Sequence, residues 1–266
     1  MSQVLITEQH LIDIADSIRS KLGVQTTYKP REFSAAIDSI QTGSGADWDG
    51  FLAGTYPVGE LSLQTATTVR QRVFQDCTGI TSINAPNVTT INDYSFSGCT
   101  SVQTVNMPSL TTVNGPYVFR QFGSIKRASF PSLQTTGTYC FYFWGSAGAS
   151  CEYLVLPEIT TLGSDAFRQS YIDVIDIGPN LVTLPTRAFY GNLNNYYNTI
   201  ILRANQVVTM TNANAIYKIT SDCKVYVPSD LITSYKAATN WSAKGDIFYA
   251  IEDSIYDGYY ADGTPI

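Results

Sequence analysis

Between residues 52 and 228 apolar and polar positions alternate in short runs, each closed by a proline or a turn. The commonest run is apolar-x-apolar-Pro followed by Val or Leu, two threonines and another apolar residue. It is clearest at 84–91 (Asn-Ala-Pro-Asn-Val-Thr-Thr-Ile), 106–113, 129–136 and 155–162. Alternation along a strand sends every second side chain to one face. Ile83 and Ala85, Val105 and Met107, Ala128 and Phe130, Leu154 and Leu156, Ile175 and Ile177 are therefore predicted to point inward. The residues between them, Asn84, Asn106, Ser129, Val155 and Asp176, with Ile201 and Tyr226 further on, are predicted to form an outward stripe. Each phrase is followed by a small residue and a phenylalanine, giving Phe74, Phe96, Phe119, Phe141, Phe167 and Phe189 at steps of 22, 23, 22, 26 and 22. A period of this length is the mark of a solenoid, whose repeats bury their apolar faces against one another. The expected fold is mainly β, a solenoid of about seven rungs over 52–228.

The flanks carry other patterns. In residues 1–42 the apolar positions Leu11, Ile14, Ile18 and Leu22 follow helical spacing, with Thr7 as N-cap and Gly23 as stop,. A shorter helix with Phe33, Ile37 and Ile40 on one side follows Pro30. Two such short helices bury little surface alone, which predicts an α-helical hairpin that assembles with other copies or docks on a partner. The alternative is packing back on the solenoid as its first cap. Residues 43–51 read as a linker. At the other end, residues 229–266 are predicted to be cap and tail. Ser229 would cap a helix carrying Leu231, Ile232 and Tyr235, Trp241 would close the core, and 257–266 is turn-rich or a short hairpin,.

Charged residues make up 14%, and sixteen basic against twenty-two acidic residues leave a net charge of −6. That balance argues against nucleic acid, whose binding needs clustered Lys and Arg. No apolar run is long enough to span a bilayer, and the first residues lack the features of a secretory signal,. The expectation is a protein without membrane insertion that stays in the cytoplasm of its maker or leaves by lysis. Cys77 and Cys99 stand three residues after their phenylalanines and are predicted to stack in the core as free thiols, a disulfide between adjacent rungs being the alternative,. With His10 as the single histidine, neither a zinc-type metal site nor a cofactor is expected,.

The segment 91–102 (Ile-Asn-Asp-Tyr-Ser-Phe-Ser-Gly-Cys-Thr-Ser-Val) and its repeats resemble the BspA-like leucine-rich repeat of bacterial and protist surface proteins. The ending from Val227 to Trp241 looks like that family's C-terminal cap. This resemblance covers about residues 60–250 and implies the solenoid and, more loosely, adhesion; it brings no catalytic residues. Residues 6–19 and 27–37 are similar to the start of minor structural and tail-tip proteins in phages and prophages of Gram-positive bacteria. That second resemblance implies an attachment module contacting other virion proteins, in a homo-oligomer for which a trimer is favoured.

Two rungs carry aromatic insertions after the ladder phenylalanine, Tyr142-Phe143-Trp144 with the loop 145–150, and 190–198. Tyrosine, tryptophan and asparagine side chains complement a sugar ring, so Tyr142, Trp144, Tyr190, Asn194, Asn195, Tyr196 and Tyr197 are candidate ligand residues,. The same aromatics could instead cover a widened rung. The competing site is the stripe Asn84, Asn106, Ser129 and Asp176. Glycoside hydrolysis would need a spaced pair of carboxylates, and only Asp173 and Asp176 are close in sequence, so no enzyme is expected,. The chain reads as a virion structural protein (tail, baseplate or fibre) whose solenoid binds a host-surface glycan or protein. The alternatives are a BspA-like adhesin on the bacterial cell surface and a virion spacer without ligand.

Overall fold

The computed structural model describes residues 58–123, 125–145, 150–191, 199–216 and 223–266. The helical hairpin expected in 1–42, with Leu11, Ile14, Ile18, Leu22, Phe33, Ile37 and Ile40, and the linker 43–51 lie outside these residues.

The chain winds into a β-solenoid of about eight turns. One face is a run of parallel strands in two sheets. The first holds β1 (Gly59–Ser62), β3 (Ile80–Asn84) and β5 (Thr104–Asn106). The second holds β7 (Arg127–Ser129), β8 (Cys151–Leu156), β9 (Ile172–Ile177), β11 (Thr199–Leu202), β13 (Lys224–Val227) and β14 (Phe248–Ala250). Two-residue strands β2 (Thr68–Val69), β4 (Thr90–Ile91), β6 (Thr112–Val113), β10 (Thr183–Leu184) and β12 (Thr209–Met210) make a second face, carried between β6 and the later rungs by bridges through Thr135 and Thr161. The alternation predicts the register. Asn84 pairs with Asn106, and Ser129, Val155, Asp176, Ile201 and Tyr226 lie side by side on successive strands.

Inside, the predicted phenylalanines form one stack with centroids 5.1 to 6.0 Å apart and planes within 13° of parallel. Offset-stacked rings at this spacing add about 0.5–1.5 kcal/mol per pair beyond area burial. Cys77 and Cys99 lie in the core as free thiols, and the Cys99 thiol donates to the Phe74 carbonyl at 3.1 Å.

The backbone around each phenylalanine explains the stack. Numbered from the ladder Phe, residues −2 and +2 occupy the left-handed region: Tyr94, Tyr117 and Tyr139 on one side, Asp76, Gln121 and Phe143 on the other. Tyr94, Asp76 and Phe143 are each the third residue of a turn closed by a backbone bond, Ser95 N–H to Asn92 C=O, Cys77 N–H to Phe74 C=O and Trp144 N–H to Phe141 C=O,. This leaves the N–H groups at −2, 0 and +2 pointing along the solenoid axis. In rung two, Tyr94, Phe96 and Gly98 donate to Pro116, Val118 and Arg120 of the next rung at 3.1, 3.1 and 2.8 Å. Gly98 is needed for more than its φ of +79°, because a Cβ there would lie 2.1 Å from the Asp76 carboxylate.

The C-terminal end is closed twice. A 3-10 turn (Ser229–Leu231) leads into α1 (Ile232–Ala237). The Ser229 side chain makes no capping bond; its N–H donates instead to the Glu252 carboxylate at 3.0 Å, so the anion at this turn comes from beyond the helix. The buried Tyr235 hydroxyl accepts from Val208 N–H at 3.0 Å, and Trp241 Nε1 donates to Val208 C=O at 2.7 Å. The sheet then continues one strand past residue 228 as β14. Beyond it, 257–266 forms a short hairpin, bridged between Tyr259 and Pro265. That hairpin lies on the outward face of the sheet. There Val155, Asp176 and Ile201 are fully buried although they point away from the solenoid core.

Arg203 holds the hairpin. Its guanidinium makes two bonds to Asp176 (2.7 and 2.9 Å) and donates to the carbonyls of Tyr256 and Tyr259 at 3.2 and 2.7 Å. Ala261 N–H supplies a third bond to the carboxylate at 2.7 Å. Removing one partner leaves the other charge buried and alone, so Asp176→Ala should cost about 3–5 kcal/mol in urea unfolding. It should also make residues 252–266 cleavable by protease before the solenoid.

Burial pushes the Cys77 thiol up to about 11, and Cys151 and Cys223 up to about 12. The native state therefore keeps protons that the unfolded chain loses above the ordinary value of 9.0,. Stability should fall as pH rises through that range. At pH 8 a disulfide exchange reagent should label none of the five cysteines until denaturant is added, a check made by absorbance.

Candidate functional site

The structure separates the candidate ligand residues. Trp144, expected in an exposed insertion, is fully buried against Phe119, Phe122, Phe130 and Phe141. The reason lies in the repeat: Trp144 stands at +3, the core position that Cys77, Cys99 and Phe122 fill in earlier rungs. Asp176 likewise leaves the outward stripe, because the hairpin covers it. Asn106 is exposed and Asn84 and Ser129 are half-buried, and Asn106 Nδ2 donates to Asn84 Oδ1 at 2.9 Å, so one donor and one acceptor of this pair are already used. Asn194, Asn195, Tyr196 and Tyr197 lie outside the described residues. Tyr142 and Tyr190 are half-buried at the surface and belong to a larger arrangement.

That arrangement is two parallel columns beside the phenylalanine stack. The −2 residues in order along the axis are Arg72, Tyr94, Tyr117, Tyr139, Asp165 and Arg187, all with φ between 53° and 60°. Arg72 lies over the Tyr94 ring at 4.9 Å; Tyr94 stacks on Tyr117 at 5.2 Å, and Tyr117 on Tyr139 at 4.7 Å. Asp165 then takes both nitrogens of an Arg187 fork at 2.8 and 3.0 Å. The +1 column alternates cation and ring: Arg120, Tyr142, Arg168, Tyr190. Arg120 covers Tyr117 at 5.9 Å, Tyr142 meets Tyr117 and Tyr139 edge-on, and Arg168 lies 5.1 Å from the Tyr190 centroid while bonding Asp165 at 3.2 Å.

Stacked rings hide their faces from solvent and present edges and hydroxyls, one per rung at about 5 Å. Burial, then the neighbouring phenols of Tyr139, Tyr94 and Tyr142, raises the Tyr117 pKa above its ordinary value of 10.0, so the hydroxyl stays a donor. The columns thus offer an ordered row of phenols framed by guanidiniums. They also persist against a backbone cost. A left-handed residue with a Cβ costs about 1–2 kcal/mol where glycine costs nothing. Glycine serves the equivalent turn at Gly98, yet no glycine stands at −2 in these six rungs.

The sequence reading missed Tyr94, Tyr117, Tyr139, Arg72, Arg120 and Arg168. Their signal was the constant offset from the ladder phenylalanine, two before or one after. Of the two carboxylates weighed for hydrolysis, Asp176 is bonded to Arg203 and Asp173 accepts from the Ser150 hydroxyl at 3.1 Å; Asp165 and Glu152 are likewise paired with arginines, Glu152 with Arg127 at 2.8 Å. Among the described residues no group of three or more His, Cys, Asp or Glu could hold a metal ion.

The chain is similar to the pneumococcal vaccine antigen PcpA at 15% identity, with a TM-score of 0.44 over 67% of this chain and 38% of the antigen's. It is also similar to a leucine-rich repeat protein from Bacteroides ovatus ATCC 8483 at 17% identity, with a TM-score of 0.34 over 64% of this chain and 55% of the other. Among curated proteins none matches the chain. The BspA type leucine-rich repeat region matches residues 58–149 and 145–240, in six copies, and the chain belongs to that family.

Proposed function

We propose that this chain is a recognition protein of a virion tail, baseplate or fibre, with the solenoid binding a glycan on the host cell surface. The repeat family is a binding or scaffold fold, and the observation that carries the reading is the pair of tyrosine and arginine columns. Tyrosine and arginine are the residues that concentrate binding energy at protein surfaces, and phenols add area at small cost in side-chain entropy. The virion part rests on the likeness of residues 6–19 and 27–37 to phage tail-tip proteins. In that setting 1–42 contacts other virion proteins and joins a homo-oligomer, a trimer being favoured, and the protein leaves its maker by lysis. A BspA-like adhesin on a bacterial cell surface is the second reading, favoured by the family match over residues 58–240.

Mass spectrometry of purified virions separates the two, since only the first places the chain in the particle. Light scattering of the full chain should give a mass near three times 29.2 kDa; a monomer would remove the assembly role of 1–42. Tyr117→Gly removes two stacked pairs, with Tyr94 and with Tyr139, worth about 1–3 kcal/mol together, in exchange for relief of a backbone cost of about 1–2 kcal/mol,. Its unfolding free energy should stay within about 1 kcal/mol of wild type, while binding to host cell-wall material drops about tenfold or more. Unchanged binding would place the ligand elsewhere.

A further inference from the structure

We infer that the ligand of the two columns is an acidic polysaccharide, one carrying carboxylate or phosphate groups, held by guanidinium charges spaced along the solenoid axis. The inference rests on the glycan reading above and narrows it to a charge class.

The argument begins from where the cations are. The chain as a whole is acidic, at −6, yet four of its arginines, Arg72, Arg120, Arg168 and Arg187, line one strip. Among the described residues Arg72 and Arg120 have no carboxylate within ion-pair distance; each lies over a tyrosine ring. Arg168 and Arg187 share the single carboxylate of Asp165, which leaves that cluster with one positive charge in excess. Asp93 stands beside Tyr94 in sequence, but its carboxylate lies against Gly115 and makes no ion pair with Arg72. The arginines without an ion-paired carboxylate therefore fall on rungs one and three, with one cation in excess on rungs five to six, while Asp76 and Asp93 lie against Gly98 and Gly115 without pairing with those arginines.

Two rungs are roughly 10 Å, so the cations repeat at about that distance. A pyranose in an extended chain is about as long as one rung is high. A polysaccharide lying along the columns would thus bring an acidic group to an arginine at every second sugar, with phenol hydroxyls bonding the sugars between. The tyrosines set the guanidiniums in place by cation–π contact, which orients a fork that can take a carboxylate or phosphate through two bonds. A neutral glycan would leave the row of cations without counter-charges. A membrane surface would want a broad apolar or basic face rather than a strip one or two side chains wide.

The test uses the full chain on immobilised bacterial polysaccharides of three kinds: uronate-containing, polyol-phosphate and neutral. Retention should be confined to the acidic kinds and weaken with salt, and the arm that binds names the source of the anion. The double variant Arg72→Gln, Arg120→Gln should melt as wild type does and lose roughly tenfold in affinity, the order expected of two exposed ion pairs. Arg72→Lys, Arg120→Lys should recover part of that loss, because charge returns without the fork. Equal retention by neutral polysaccharides, or an unchanged affinity of the glutamine variant, would overturn the inference and leave the glycan reading standing. Retention by no polysaccharide, or by anionic lipid vesicles alone, would bring down both.

Discussion

Everything in this molecule depends on the N–H groups at −2, 0 and +2 pointing along the axis to the next rung. Phe74, Phe96, Phe119, Phe141 and Phe167 each donate to the residue before the next ladder phenylalanine, at 2.8 to 3.1 Å, and Phe189 donates to the Ala215 carbonyl at 2.8 Å. A corner held in this way cannot slip by a residue without breaking several bonds at once, and buried backbone groups left unpaired cost free energy. Register at the corner then dictates the rest. Phenylalanines must stack on phenylalanines, Cys99 must meet the Phe74 carbonyl, and side chains at −2 must stand above one another outside. The tyrosine column is a consequence of backbone bonding before it is a feature of the surface.

A solenoid built so rigidly along its length has its weak points at the ends. The cap is tied on most closely at Val208, whose N–H and C=O are both taken by cap side chains, while Asn240 and Lys244 donate to the carbonyls of Met210 and Ile216. The hairpin does a different task. Val155 and Ile201 are apolar residues on the outward face of the sheet, and the hairpin covers them around the buried Asp176–Arg203 pair. Burying that pair removes two charges from water, and well-packed apolar side chains would serve stability as well or better. What an ion pair adds is a defined place: Arg203 donates to the carbonyls of Tyr256 and Tyr259 and Asp176 accepts from the N–H of Ala261, so the segment fits in one position.

The fold was readable from the sequence wherever a rule of spacing applied. Alternation placed Asn84 beside Asn106 and Asp176 beside Ile201, and the phenylalanine ladder needed only its steps. Trp144 misled because it was judged by the insertion that follows it rather than by its offset from Phe141, which assigns it to the core. Tyr94, Tyr117 and Tyr139 could have been found by the same offset. Burial of Asp176 could not. It depends on a contact with Ala261, 85 residues away, and no local pattern announces that a turn-rich tail will lie across a sheet. Capping by Glu252 in place of Ser229 was hidden for the same reason.

The two outward surfaces differ in what they could offer a ligand. On the sheet face, Asn84 and Asn106 are bonded to each other, and Val155, Asp176 and Ile201 are buried under the hairpin. At the corner, the −2 and +1 side chains carry no part of the core, since the phenylalanine between them fills it. Apart from the buried Asp165 and Ser97, their identities are only loosely constrained by packing, while their positions are held to within the rung spacing by the backbone bonds beneath. A surface of that kind can change its chemistry rung by rung without altering the fold: arginine, three tyrosines, aspartate and arginine in one column, cation and ring alternating in the other. The energetic balance favours such a use. A left-handed tyrosine loses about as much to backbone strain as it gains by stacking, so the stack does little for folding. What remains for it to contribute is its exposed edge, a preorganised row of donors that would lose little entropy on meeting a ligand.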